Sequence, residues 1–365
     1  MKFLGFGNGS DGDYTVSTSV TDAPIDSSCS GTSGTTSLTA TNASFTAGQF
    51  ILIHQTRGTG AGSYEINKID SYSTGTITTV HELAYTYTDS GASQAQVLVL
   101  KQYGNVTISG TLTAKAWDGD KGGILAFMAS GKTTISGTVT ANAKGFRDGG
   151  SRDLGTGQPA SYATVGENYT GNQPSDQTTQ VGGGGGAGLY PDDVNSGGGG
   201  GAYGTDGSRP PYSKISGWAY GGTAYGVADL SEIYFGGAGG GYSYSGNTPA
   251  GGGRSGGIVM IFTNKITVSG SITCNGGSVS GAETCGGGGA GGSILIKSKT
   301  STVGTNLITS TGGTSTSVGS PGNPGGAGGV GRIRIESCSI SGTTNPAAST
   351  QQGGQSYCSS LTFIQ

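Results

Sequence analysis

Gly182 to Gly186 is a run of five glycines, and Gly197 to Gly201 is another. A run without side chains offers no apolar face, so these stretches cannot build a conventional core. They can stay flexible, or they can pack side by side as threefold extended polyglycine helices, the arrangement collagen uses at its crowded axis. Shorter runs recur at Gly236 to Gly241 (Ala at 238), Gly286 to Gly289 and Gly325 to Gly329 (Ala at 327). Equivalent segments lying together would satisfy one another's backbone N–H and C=O groups, which isolated loops would leave to water. We therefore expect a packed layer of polyglycine II helices rather than a floppy linker.

Glycine makes up 77 of the 365 residues, but the threefold period and abundant proline of collagen are missing, with only 10 Pro in the chain. A net charge of −3 excludes a charged disordered tail and leaves no basic footprint for nucleic acid. No stretch approaches the roughly 18 apolar residues of a membrane span, so no membrane insertion is expected. Helix formers are scarce beside Gly, Thr and Ser, which points to an all-β protein.

A repeat lies under the glycine. Val97 to Leu100, Ile124 to Phe127, Ile258 to Phe262, Ile294 to Ile296 and Ile333 to Ile335 are short apolar strands. Most are followed by a second strand of the form Ile-Ser-Gly-Thr, as at Ile108 to Thr111, Ile135 to Thr138 and Val268 to Ser271. Gly-Gly pairs precede three of them, at Gly122, Gly256 and Gly291. The units start about 27 to 39 residues apart, with one gap of about 134, which suits coils of a parallel β-solenoid interrupted by one insertion. The five starts should then stack as parallel, in-register strands with their aliphatic residues inward. The alternative, an antiparallel sandwich of hairpins, would pair Ile258–Phe262 with Ile266–Ser269.

This divides the chain into an N-terminal β cap or attachment region (1–95), first coils (96–145), a Gly/Tyr-rich insertion (146–256) and C-terminal coils (257–365). In the cap, Gln49 to Gln55, Tyr64 to Ile69, Thr76 to Val80 and Ala95 to Leu100 read as strands of a small sheet covering the first coil, since an open solenoid end invites aggregation.

Five cysteines form no CxxC pair, and His54 and His81 lie far from them, so no zinc site is expected. Cys274–Cys285 or Cys338–Cys358 could pair in an oxidising setting. The plainer reading is reduced, packed thiols, Cys29 included, in a chain that folds in a reducing cytosol. The N-terminus has too short an apolar stretch for a signal peptide.

The opening Phe6 to Ser17, the Gly-Gly-Ile-Leu and Ile-Ser-Gly-Thr coils, and the glycine blocks before Ser293 to Lys297 and Arg332 to Ile335 resemble glycine-rich tail-fibre and surface proteins of tailed bacteriophages and of bacteria known mainly from metagenomes. The glycine blocks also look like the polyglycine layers of T-even-type fibre-tip adhesins and of springtail antifreeze proteins, whose Gly-x-x repeats run longer and more regularly than these. The resemblance implies a non-enzymatic, virion-attached or extracellular adhesin or fibre component, often oligomeric. Its partners would be copies of itself or a fibre protein, and a cell-surface glycan or protein.

Catalysis on a β-helix would need paired carboxylates beside a sugar groove. Asp118 with Asp120, Asp148 with Asp153, and Asp192 with Asp193 all sit in Gly/Pro turns, where Asp is a good turn former. The segment Asn8 to Asp13 lacks the terminal Glu of a calcium loop. We expect no catalytic residue, no metal site and no cofactor. Aromatic rings crowd into the insertion among Gly and Ser, a composition that suits adaptable contact surfaces. Tyr203, Tyr212, Trp218, Tyr220, Tyr225, Tyr242 and Tyr244 are the candidate receptor or subunit contacts. The competing reading makes these rings a substitute core over the glycine layer. An ice- or surface-binding protein with flat Thr/Gly faces and a polysaccharide depolymerase are the alternative functions.

Overall fold

The structure is a computed structural model that describes residues 5–150, 164–171, 183–186, 197–211, 219–242, 251–281, 285–317 and 324–352. It is all-β, and its main sheet is the parallel β-solenoid expected from the repeat. The chain enters with β1 (Tyr14–Val16) and β2 (Ser19–Asp22). It then leaves to build β3 (Asp26–Gly31), β4 (Ser37–Ala40), β5 (Phe50–Arg57), β6 (Tyr64–Ser73), β7 (Thr76–Thr79) and β8 (Gln94–Val99), a closed antiparallel barrel in the order β3-β4-β7-β6-β5-β8. The solenoid resumes with β9 (Lys101–Tyr103), β10 (Val106–Ile108), β11 (Thr111–Ala114), β12 (Ile124–Ile135) and β13 (Thr138–Thr140). After the insertion come β14 (Ile258–Val268), β15 (Ser271–Thr273), β16 (Val279–Gly281), β17 (Ser293–Thr309), β18 (Ser315–Ser317), β19 (Arg332–Asn345) and β20 (Ser349–Gln352).

Two parallel ladders run through the coils. One is β1-β10-β12-β14-β17-β19-β20, and the other is β2-β11-β13-β15-β17. β14 runs unbroken through Ile258–Val268, so the hairpin alternative is excluded. Register is close to that expected but differs in two places. Ile124 pairs with Ile258, whereas Ile258 pairs with Ser293, so Ile294 and Ile333 align with Val259. Val97 does not join the stack. Its strand β8 is already bonded on both edges, to β3 and to β5, and the chain reaches the solenoid only where Lys101 pairs with Phe127.

The one-residue offset matters because a strand shifted by one turns its other face inward. Val259, Ile261, Ile294, Ile296, Ile333 and Ile335 fill the solenoid interior. Ile124, Ala126, Met128, Ile258, Met260, Phe262 and Leu295 point outward, into a second buried cluster with Leu52, Leu98, Leu100, Trp117, Phe146 and Phe235. The barrel therefore lies along the flank of the coils instead of closing their end. An apolar outer row needs a cover, and burying each such side chain is worth about 1.5–3 kcal/mol. At the last coil the row turns charged, with Arg334 paired to Leu295 and bridged to Glu336. The range read as cap also contains the first coil, since Val16, Thr18 and Val20 occupy the places of Ile108, Gly110 and Leu112.

The glycine runs form a bundle continuous with the coils. An extended chain with three residues per turn points successive N–H groups in three directions, and the bonding follows that period. Gly198 and Gly201 donate to Cys285 and Gly288, Gly199 donates to Gly186, and Gly200 donates to Ser208. Segment 197–202 is bonded in this way to 183–186, 204–208, 219–222, 236–241, 285–290 and 325–331. Segments 236–241 and 285–292 likewise each bond to neighbours on every side, including one another through Gly287 to Gly240 and Ala290 to Gly237. Among the described residues the inner glycines of these segments are buried. A Cβ on Gly199, Gly240 or Gly287 would come closer than 3.0 Å to a backbone carbonyl oxygen. Glycine is required here by space, since the neighbouring chains occupy the volume of any side chain.

Candidate functional site

The described segments pass through the bundle many times. Segments 251–257, 285–292 and 325–331 run directly into β14, β17 and β19. At the opposite end the chain leaves after Gly150, Gly186, Arg209 and Tyr242, and Thr164 is hydrogen-bonded back to Gly150. Among the described residues this remote end is held by the bundle's backbone network.

Of the seven aromatic contact candidates, Tyr212, Trp218 and Tyr244 lie outside the described residues. Tyr220 is half-buried near the remote end, with the exposed Arg209 guanidinium 4.0 Å from its ring centroid. Tyr242 is buried. Tyr203 is fully buried, donating a 2.8 Å hydrogen bond to Ser293 Oγ, which itself donates to the Tyr234 carbonyl at 2.6 Å. Tyr225 donates to the Phe235 carbonyl at 2.6 Å, and its ring centroid lies 5.0 Å from Tyr203 and 5.3 Å from Tyr234. Tyr169 stands 4.3 Å from Tyr225 in the same cluster. Arg332 lies over the Tyr203 ring and donates to the Tyr225 carbonyl at 2.8 Å. Burial raises the Tyr203 hydroxyl to about 12, against the Ser293 hydrogen bond, and pushes Tyr225 well up. Tyr203 and Tyr225 thus sit in a packed aromatic cluster capped by Arg332, while Tyr220 lies near the remote end.

The Asp118–Asp120 pair follows turn chemistry. Asp118 Oδ1 accepts the amides of Asp120 and Lys121, both at 2.9 Å. Partial burial pulls its carboxyl up, and those two amides outweigh it and hold the group low. Asp153, Asp192 and Asp193 lie outside the described residues. In the N-terminal loop Asp11 accepts the Gln102 amide at 2.7 Å and Asp13 accepts the Asn105 amide at 2.7 Å, so both carboxylates brace the first coil. Among the described residues no His/Cys/Asp/Glu group could hold a metal ion. Cys274 and Cys285 are both free, Cys274 being packed in the solenoid interior, and Cys29 is free as well. Cys338 is disulfide-bonded, which corrects the expectation of reduced thiols throughout.

Two groupings are absent from the sequence reading. Glu167, 2 % exposed, is gripped by Arg57, Arg147 and the Trp117 indole N–H. Asp22 lines a small cavity with Tyr14 and Tyr103, whose rings stack at 4.6 Å and 9°. The sequence signal for the second was the coil motif hidden in Val16 to Thr21. An open groove of about 600 Å³ on the barrel is lined by Ser and Thr residues from 30 to 39 together with Thr86, Thr88 and Asp89.

No family model matches the chain, and no curated protein matches it. The solved structures it is similar to include three phage tailspikes. The tailspike protein gp49 from Pseudomonas phage LKA1 is 11 % identical at a TM-score of 0.18, over 90 % of this chain and 62 % of that one. The Pseudomonas phage phi297 tailspike gp61 is 12 % identical at 0.20, over 89 % and 52 %. The Gp54 tailspike of Acinetobacter baumannii bacteriophage AP22, solved in complex with A. baumannii capsular saccharide, is 11 % identical at 0.20, over 94 % and 65 %. The chain spans between about half and two thirds of the length of these tailspikes, and at such TM-scores the likeness carries no functional argument.

Proposed function

We propose that the chain is a non-enzymatic structural and adhesive protein of a phage tail fibre or cell-surface fibre, whose contact surface is the remote end of a polyglycine II bundle. The observation that carries this reading is segment 197–202, bonded on all sides to six neighbouring extended segments. Such a bundle is a rigid scaffold, and loops carried by a rigid scaffold are where binding concentrates. Tyr220 under Arg209 is the anchor at that end, and Tyr212, Trp218 and Tyr244, outside the described residues, remain contact candidates from sequence alone. Tyr and Trp rings suit both glycan faces and protein hot spots. Its partners would be a cell-surface glycan or protein, and copies of itself or a fibre protein, on the virion tail or a cell surface.

The test is attachment of purified protein to host cells. Replacing Trp218 and Tyr220 together by Ala should weaken attachment or subunit assembly by about 2–4 kcal/mol while leaving the fold intact. Full attachment and assembly with reduced thermal stability would reject the assignment. Loss of viscosity in a capsular polysaccharide digest would reject the non-enzymatic reading.

One observation favours a second reading, surface or ice binding. Thr111 and Thr113, Thr138 and Thr140, and Ser271 and Thr273 stand in register on successive coils, about 4.8 Å apart. Thermal hysteresis of the purified protein tests it directly.

A further inference from the structure

Asp22 closes β2 where the chain passes from the first coil to the barrel. Its carboxylate takes part in no hydrogen bond or ion pair among the described residues, although it is half-buried in a cavity that Tyr14, Pro24, Val99, Tyr103 and Leu112 also line. A half-buried carboxylate without a partner carries a cost, because partial desolvation penalises the charge and nothing offsets it. The nearby cations do not serve it. Lys101, which lines the same cavity, is turned onto Asp11 at 3.1 Å, and Lys115 is held by Asp26 at 3.0 Å. The free space beside the carboxylate is water-sized, about 10 Å³, and is bounded on one side by the stacked Tyr14–Tyr103 pair.

We propose that Asp22 with Tyr14 and Tyr103 forms a binding site for a primary ammonium group, carried by an amino sugar or by a lysine side chain. An ammonium head is the size of a water, supplies three donors and no acceptor, and brings the missing positive charge. Aromatic rings lining the same cavity as a carboxylate are a second element of ammonium recognition. A metal ion is a poorer match, because hard cations take six or more oxygen ligands and the site has one carboxylate. A neutral hydroxyl would donate a hydrogen bond and leave the charge uncompensated. Burial pushes the Asp22 carboxyl up to about 6, so the empty site resists ionisation, and a bound ammonium would reverse that. The site lies in the first coil, apart from the bundle end, and stands or falls independently of the adhesive reading.

The experiment is an NMR titration of the full chain near neutral pH, following the Asp22 carboxyl carbon and the Tyr14 and Tyr103 rings. Methylammonium, glucosamine and Nα-acetyl-lysine amide are the probes, with glucose and N-acetylglucosamine as neutral controls. Saturable shifts from the amines alone are expected, with at least about tenfold weaker binding in Asp22→Asn. Tighter binding of glucosamine would identify a glycan source, and tighter binding of the lysine amide a protein source. Because the fold of the variant is checked separately by thermal unfolding, the comparison of charged and neutral probes on the unaltered chain stands alone. Equal response to glucose, equal response of Asp22→Asn, or no saturable response to any amine would overturn the proposal.

Discussion

Glu167 Oε1 lies 2.6 Å from Arg57 Nη1, and this contact joins the barrel to the glycine bundle. The other carboxylate oxygen accepts from Arg147 Nε at 3.1 Å and from Trp117 Nε1 at 3.2 Å, so one buried acid gathers three parts of the fold. Removing one member of a buried charge network leaves the rest uncompensated, which commonly costs about 3–5 kcal/mol. Glu167→Gln should lower stability on that scale in urea unfolding. A change under about 1 kcal/mol, the worth of an exposed pair, would show that the network is not load-sharing.

The bundle should be intolerant of methyl groups where chains close in and tolerant at its margin. A Cβ on Gly287 meets the backbone of Gly199, whereas a Cβ on Gly150 has only the Thr164 hydroxyl at 3.7 Å. Gly287→Ala should cost about 3 kcal/mol or more and Gly150→Ala almost nothing, as read by thermal unfolding. Equal effects would mean that the inner segments are not closely packed.

Asp22 and His54 oppose each other as pH falls. His54 is buried, its Nε2–H donating to the Ile233 carbonyl at 2.9 Å, and burial holds it down to about 4 against that hydrogen bond. The unfolded imidazole titrates near 6.5, so its contribution is constant above that pH and is lost as pH falls toward about 4. Asp22, raised by burial, behaves in the reverse sense. Its contribution is present below the unfolded value near 3.8 and is lost as pH rises through about 6. Asp22→Asn should therefore gain up to about 3 kcal/mol at pH 7.5 and nothing near pH 4, unmasking the His54 slope. Urea midpoints across that range check it, and no gain at pH 7.5 would contradict it.

Tyr203 and Tyr220 should separate core from surface. Tyr203→Ala empties a fully buried ring position and should cost about 3–5 kcal/mol of stability. Tyr220→Ala removes a half-buried ring stacked under Arg209 and should cost under about 1 kcal/mol. Similar losses for both would place Tyr220 in the core.

The solenoid was legible because Ile-Ser-Gly-Thr recurs with a Gly-Gly entry, and period-two alternation leaves little choice of strand pairing. Its register was legible only to within one residue, since strands such as Ile258 to Phe262 are apolar on both faces and alternation cannot say which face is inward. The first coil was hidden because Thr18 stands where Gly110 and Gly137 stand in the later coils. The barrel's strands could be read, but not its closure or its place on the flank, which depend on the outward row of Met128, Met260 and Phe262. At the candidate contact surface, composition found the aromatic cluster but could not divide it. Tyr203 and Tyr220 have similar glycine-rich surroundings in sequence, yet Tyr203 is fully buried and Tyr220 only half-buried. Asp22 gave no local signal, because Val99, Tyr103 and Leu112, which line its cavity, come from strands far along the chain.

Amide hydrogen exchange of the glycine segments tests the central claim most directly. Donors such as Gly199, Gly240 and Gly287 are each bonded to a neighbouring segment inside the bundle. The account expects peptides covering 197–202, 236–241 and 285–292 to be protected to about the level of β14, near the global unfolding free energy. Exchange of these peptides at the rate of open loops, with β14 still protected, would contradict it.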